Sequence, residues 1–473
     1  MRLLEFLCDV GIFNKGINMV KRTLSSDQFL KDIQGKNLNF LIGAGASAGL
    51  VNTLDLSQLG ESFEDLYSDK ELSPQQRMAL DLIWFRSWIQ DTLITKEKID
   101  KISTDNPKGK KVFQNYKRFI SNLGNFLDRE GYDKPKRVNI FTTNYDSLFE
   151  LAFDEVAQDQ RLVYFNDGSR GFLNRYISTE NFNLNISHSA MSDNFQRSIP
   201  TINLLKIHGS ITWDLEDQKI KATINNGVFK KVKTDADKIF NHIDLDNFPV
   251  INHLFFKKDS NSVKEFEKDK LAIQTTLKEE LAKFKPSNSK AQQLDDDLES
   301  DYSSVDVKPP TKEEIKEGYL QIKKWKEPQP ICKDEICSLD DFEKDYHKLQ
   351  VVNPTKDKFR ETVFQQNYYQ LLRMLSFELE KRDSVLIVFG FSFADEHILE
   401  IVRRSIINPY LKIYVICYNE RSKRDLEDKL SDAGLNKIDF IPYSDVHDGG
   451  DYTPIGDFNY LNWLFDEKSS SEE

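Results

Sequence analysis

Six short apolar runs punctuate the chain: Leu38 to Ile42, Arg137 to Phe141, Ile202 to Ile207, Val385 to Phe389, Leu411 to Cys417 and Ile438 to Ile441. Each is long enough for a buried strand. Helical periodicity fills much of the space between them. Thr23 to Asp32 reads as a short amphipathic helix with Ser25 or Ser26 as its cap. Long helical patterns run through Phe63 to Glu130, another follows Asp146, one covers Glu361 to about Lys381, and two more follow Asp395 and Asn419. Strands alternating with helices predict an α/β fold: a doubly wound, mostly parallel, Rossmann-like sheet with helical insertions.

The same pattern divides the chain. Residues 37–62, 131–213 and 361–450 make the expected core, preceded by an N-terminal extension and helix (1–36) and followed by a C-terminal segment (451–473). Residues 63–130 read as a helical insertion packed beside the sheet, with Trp84, Phe85 and Trp88 as its own core. Residues 214–360 read as a charged insertion. Within it, 285–311 holds an acidic run (Asp295, Asp296, Asp297, Glu299, Asp301) and Pro309–Pro310, which predicts a mobile surface loop. Met19 is a candidate start, with Met1 to Asn18 as an extension, and the tail from Lys468 is expected to fray.

Composition narrows the function. The 473 residues carry a formal net charge of −12, which argues against a general nucleic-acid-binding surface. No apolar run approaches the ~20 residues of a membrane span. Four scattered cysteines (Cys8, Cys332, Cys337, Cys417) fit a reducing cytoplasm rather than a disulfide framework. One C-x4-C pair without a second cannot build a four-thiolate zinc site, so no metal is expected.

The chemistry gathers where the runs end. The first stops at Gly43-Ala44-Gly45-Ala46-Ser47, small residues that let a backbone turn sharply and come close to a ligand. A helix starting near Ala46 would aim its free N–H groups at the same spot, so Gly43, Ala44, Gly45 and Ser47 are expected to take a pyrophosphate. The second run leads into Thr142-Thr143-Asn144-Tyr145-Asp146, the third into His208-Gly209-Ser210, and the fourth into Gly390-Phe391-Ser392. Thr143, Gly390 and Ser392 are further expected nucleotide contacts, and Asn419 is placed to bond a ribose hydroxyl. Asn144, Asp146 and His208 then face whatever reacts. They suit positioning and proton transfer rather than covalent catalysis. Plainer roles compete: His208 as a strand-end histidine bonded to backbone, Asn144 and Asp146 as helix caps, His397 as packing or surface.

G-A-G-A-S, T-T-N-Y-D, K-I-H-G-S and G-F-S-F-A-D stand in the order used by the SIR2 (sirtuin-like) superfamily, and the chain resembles that superfamily through them. The resemblance implies NAD+ as substrate. It implies that Asn144 holds the ribose and a water at the anomeric carbon, that Asp146 bonds the nicotinamide carboxamide, and that His208 is the general base. Two departures stand out. Protein deacylases of the superfamily carry two C-x2-C pairs after H-G, and this chain has no cysteine between Cys8 and Cys332; their P-D-F-R is replaced by L-V-N-T-L-D. The long G-F-S-F-A-D-E-H-I segment resembles the bacterial branch found in anti-phage operons, whose members cleave NAD+. That likeness implies a homo-oligomer and a HerA-type ATPase as partner. An NAD+-dependent deacylase or ADP-ribosyltransferase, and a non-catalytic module that binds NAD or ADP-ribose, are the competing functions.

Overall fold

The computed structural model describes residues 24–51, 73–131, 134–160, 162–189, 196–217, 219–223, 226–242, 339–352, 366–430, 437–442 and 455–466. The expected loop at 285–311, the N-terminal extension, Cys8, Cys332, Cys337 and His253 lie outside the described residues. Thirteen strands are described: β1 (Asn37–Ile42), β2 (Arg137–Thr142), β3 (Tyr164–Asn166), β4 (Ser169–Arg170), β5 (Arg175–Ile177), β6 (Ser187–Ser189), β7 (Gln196–Ser198), β8 (Thr201–Lys206), β9 (Trp213–Glu216), β10 (Lys219–Ala222), β11 (Ser384–Phe389), β12 (Lys412–Ile416) and β13 (Ile438–Ile441). Seven of them form one sheet in the order β13-β12-β11-β1-β2-β8-β3. Every pairing in it is parallel. All six expected strands are present, each within about a residue of its predicted bounds. The fold is the expected α/β arrangement, with parallel strands covered on both faces.

Alternation along each strand assigns its side chains to the two layers. Leu38, Phe40 and Ile42 of β1 pack with α1 (Ser26–Ile33), α4 (Pro107–Arg129), α5 (Leu148–Val156) and α11 (Phe458–Phe465), whose Phe29, Phe119, Phe149 and Phe465 are buried there. Leu41, with Leu386 and Val388 of β11, faces α8 (Gln366–Glu380), α9 (Glu396–Ser405) and α10 (Glu420–Leu430). Ser25 caps α1 by accepting from the Gln28 amide at 3.1 Å. α4 therefore belongs to the covering layer itself: the Phe119 ring meets Phe40 of β1 edge-on at 5.1 Å.

Described helices from the two inserted stretches share a third core cluster. α2 (Pro74–Trp84), which continues as a π-helical turn to Ile89, packs with α6 (Gly227–Ile239) and α7 (Leu339–Tyr346) around Trp84, Phe85, Trp88, Phe229 and Phe342. α3 (Lys96–Asp105) precedes α4. The small strands form a four-stranded antiparallel sheet, β4-β5-β10-β9, and a hairpin, β6–β7. They were not anticipated, because runs of two to four residues are too short to display a period. Among the described residues, no helix is long and apolar enough to cross a membrane.

A polar ladder crosses the sheet interior. Asn39, Asn139, Asn203 and Asn166 stand in register on β1, β2, β8 and β3, and all four are buried. The Asn166 amide donates to Asn203 Oδ1 at 2.8 Å, Asn203 to Asn139 at 2.8 Å, and Asn139 to Asn39 at 2.9 Å. The last amide reaches Ser384 Oγ on β11 at 3.2 Å. A one-residue slip of any strand would break this chain of bonds and invert that strand's faces. Asn139→Leu leaves Asn39 Oδ1 and Asn203 Nδ2 each short of a buried partner, at about 1–3 kcal/mol apiece. The variant should unfold at a clearly lower urea midpoint than the parent; an unchanged midpoint would show that the ladder adds nothing to the sheet's stability.

Candidate functional site

The register of the sheet sets the ends of β11, β1, β2 and β8 level. Phe389, Ile42, Thr142 and Lys206 are lateral partners in turn. Gly43, Asn144, His208 and Gly390 follow within one or two residues, so four separate segments reach the same end of the sheet.

The turn after β1 is built against the turn after β11. Gly43 N–H donates to Phe389 O at 3.0 Å and Gly45 N–H to Gly390 O at 2.9 Å. A Cβ on Gly43 would lie 2.5 Å from Gly390 O, and one on Gly45 would lie 2.7 Å from Gly390 Cα. Gly390 itself has φ +61, a left-handed conformation that favours glycine. These glycines are thus required by two backbones touching. The helix expected from Ala46 is a single 3-10 turn, Ala44–Ser47. Within it Ala46 N–H returns to Gly43 O at 3.1 Å. Ala44 and Gly45 remain exposed, so a ligand has access to the outer side of the turn.

Ser47 points inward instead. It is 1% exposed, and its hydroxyl gathers three neighbours: Asp146 Oδ2 at 2.8 Å, Asn144 Nδ2 at 3.1 Å and the Tyr116 hydroxyl at 2.7 Å. A serine hydroxyl has one hydrogen and two lone pairs, so this oxygen is fully used. Asn144 is fixed at its other end by its backbone N–H, which donates to Thr142 Oγ1 at 3.1 Å. Its Oδ1 is buried and, among the described residues, accepts no hydrogen bond. Asp146 Oδ1 accepts from the Leu148 amide at 3.1 Å, a local turn bond just before α5. The N-cap itself is Ser147, without a side-chain cap bond, so the expected capping by Asn144 or Asp146 is not what forms. Thr143 is half-buried and donates its N–H to Ile42 O at 3.2 Å.

Burial raises the Asp146 carboxyl above its ordinary value, partly offset by the nearby Lys206 ammonium. Lys206, 2% exposed, donates to Asp146 O, to Ser210 Oγ at 3.1 Å and to Glu150 Oε1 at 2.7 Å. Glu150 is likewise raised by burial against the same lysine. The Tyr116 hydroxyl is raised by burial and by Asp146 beside it. A cavity of about 230 Å³ is lined in part by Ser147, Glu150, Asp154, Arg175, Lys206 and Thr212; Asn144 and His208 are not among its walls.

His208 is 4% exposed. A strap at 350–352 holds its backbone: Val352 N–H donates to His208 O at 3.0 Å and Ser210 N–H to Gln350 O at 2.9 Å. Its ring lies 5.6 Å from that of His397, at the start of α9. His397, expected to be packing or surface, is therefore a neighbour of the candidate base. The other two expected contacts lie farther out. Ser392 is exposed and its carbonyl accepts from Lys429 at 2.8 Å. Asn419 is exposed and its Oδ1 accepts from the Ser422 amide at 2.8 Å, at the start of α10. Sequence reading missed Tyr116 as a site residue; a tyrosine inside an amphipathic helix carries no signal that sets it apart from core.

Among the described residues, the side chains placed to share a metal ion are Asp81, Glu343 and His347, whose ligand atoms lie within 4.8 Å of one another in the α2–α7 layer. They are remote in sequence from the strand-end residues, and the chemistry assigned to those residues needs no metal.

The raised Asp146 carboxyl has a measurable sign. The folded state holds this proton more tightly than the unfolded chain does. The group's contribution is therefore most favourable at low pH and is lost as pH rises from the ordinary value of 3.8 through the raised one. Asp146→Asn removes that dependence. Its stability relative to the parent should grow as pH is raised above 3.8, read from urea midpoints across a pH series. A difference that stays flat with pH would contradict the shift.

The family model of a SIR2-like domain matches residues 138–239. No curated protein matches the chain. The matched span begins inside β2, ends with α6 and includes Asn144, Asp146, Lys206 and His208; the glycine turn and Gly390 lie outside it. The two strand ends that carry the candidate reacting residues thus belong to a stretch that matches a SIR2-like domain.

Proposed function

We propose that the chain is an NAD+ glycohydrolase that cleaves the nicotinamide–ribose bond to give nicotinamide and ADP-ribose. The observation that carries this reading is the buried Oδ1 of Asn144, an acceptor with no donor among the described residues, at the end of a buried strand. An acceptor so placed costs free energy unless something brings it a donor. A ribose hydroxyl or an attacking water supplies one. The glycine turn exposes Ala44 and Gly45 for the pyrophosphate, and His208 is at the same level of the sheet for proton transfer. The SIR2-like match over Asn144 and His208 supports an NAD-related substrate.

The reaction needs few groups. Water adds to the anomeric carbon of the nicotinamide ribose, and the C–N bond breaks with its electron pair passing to the pyridinium nitrogen. Nicotinamide leaves neutral, so no acid has to protonate it. The water's proton passes to His208. The transition state is oxocarbenium-like, as in glycoside hydrolysis, and the fixed Asn144 carbonyl orients the sugar and water in it. The resemblance implies that Asp146 bonds the carboxamide, and Lys206 donates to its main-chain carbonyl. The resemblance to the bacterial defence branch supports a role in depleting NAD+ during phage infection, as a homo-oligomer with an ATPase of the HerA type.

Asn144→Ala should lower kcat about 10²-fold, and His208→Ala by about 10²–10⁴-fold, each with ADP-ribose binding close to that of the parent. Nicotinamide release measured by chromatography, with and without a co-expressed ATPase, reads the effect. A parent protein that leaves NAD+ intact under every one of these conditions would end the glycohydrolase reading. Acyl-lysine consumed in step with NAD+ would replace it with a deacylase.

A further inference from the structure

An asparagine amide can turn by half a rotation with almost no change of shape, exchanging its carbonyl and amino ends. The proposed chemistry works with one orientation only, since Oδ1 must face the substrate. We infer that Tyr116 fixes that orientation: it is a positioning residue that acts on Asn144 through Ser47, so that the site is assembled only while α4 is seated on the sheet. The inference rests on the glycohydrolase reading for its effect on turnover, and on the hydrogen bonds alone for its effect on Asn144.

Counting protons carries the argument. With Asp146 ionised, its carboxylate can only accept, so the single Ser47 hydrogen goes to it. Both remaining contacts of Ser47 Oγ must then be donors. One is Asn144 Nδ2. The other is the Tyr116 hydroxyl, whose donor role is ambiguous from distance but settled by this count. Were the Asn144 amide reversed, its carbonyl would meet an oxygen with no hydrogen left to give. Removing the Tyr116 hydroxyl leaves one lone pair of a fully buried oxygen without a partner. The Ser47 hydroxyl then has a reason to rotate, and the Asn144 amide loses its fixed acceptor. The raised pKa of Tyr116 keeps it a donor throughout the neutral range.

Tyr116 comes from α4, outside the stretch that matches the SIR2-like domain. Its ring packs edge-on against Phe149 of α5 at 4.8 Å and Phe458 of α11 at 5.0 Å. The adjacent Asn115 carbonyl accepts from Asn462 of α11 at 3.2 Å. Seating of α4 therefore depends on α5 and α11 together.

Tyr116→Phe removes the hydroxyl and keeps the ring. With asparagine labelled in nitrogen-15, and the Asn144 side-chain signals assigned by their loss in Asn144→Ala, hydrogen exchange of that amide is read by NMR. Exchange should be at least about tenfold faster in Tyr116→Phe, since a bonded buried amide is protected and a released one is not. kcat for NAD+ should fall about tenfold with KM within about twofold of the parent. Ser47→Ala removes the same oxygen from the other side and should release Asn144 in the same way, which keeps the test open if the tyrosine variant folds poorly. Unchanged exchange in both variants overturns the inference, as does a lower melting temperature with kcat and exchange at parental values. A parent protein inactive on NAD+ sinks the function reading alone, and the exchange result still decides this one.

Discussion

Register is the constraint on which this site depends. A parallel sheet can bring residues from distant parts of a chain to one end only if its strands stop at the same height. Hydrophobic runs do not enforce that by themselves, because Leu, Ile and Val tolerate a slip of two residues that keeps the same face buried. The Asn39–Asn139–Asn203–Asn166 ladder does enforce it. The three amide-to-amide bonds form at one offset and are lost at a slip. A continuous hydrophobic interior would gain more from burial, since polar groups in a core at best offset their own desolvation. What the ladder supplies in exchange is alignment, and alignment is what sets Gly43, Asn144 and His208 level.

The contact between Gly43, Gly45 and Gly390 does for the backbone what the ladder does for the strands. Two turns press together at distances that a Cβ would forbid. A phosphate-binding loop and a packing contact place the same demand for glycine, which is why the motif alone could not separate them. Here the N–H groups of Gly43 and Gly45 are spent on β11 and its turn. Ser47 is likewise spent on side chains of the second turn. The first turn is therefore a brace for Asn144.

How far the fold was legible follows from the length of its signals. Runs such as Ser384–Phe389 are buried along their whole length and read as strands at once. β4, at two residues, cannot. The four ladder asparagines look like strand-weakening polar interruptions until their partners are known, since a cross-strand bond has no sequence period. The candidate site was legible where a polar residue sits at the end of a strong strand, as with Asn144, Asp146 and His208. It was illegible where a residue arrives from the side. Tyr116 fits the apolar face of α4, and only the coordinates reveal that its hydroxyl ends on Ser47. Asn419, a polar residue at a strand end, accepts from the Ser422 amide at the start of the next helix.

Both inserted stretches reach the segments that follow the sheet's strands. From one, α4 delivers Tyr116 to Ser47 and so to Asn144. From the other, α7 leads into the strap at 350–352. That strap accepts from Ser210 and donates to His208 O, and its Val352 carbonyl accepts from the Tyr145 hydroxyl at 2.6 Å. The strap thus ties the segment after β2 to the segment after β8, the two that carry the candidate reacting side chains. Both stretches act through hydrogen bonds to buried groups, where a lost partner costs more than it would at the surface. A shift in either layer is therefore felt at the strand ends rather than absorbed, and the geometry around Asn144 and His208 is set in part by segments far from them in sequence.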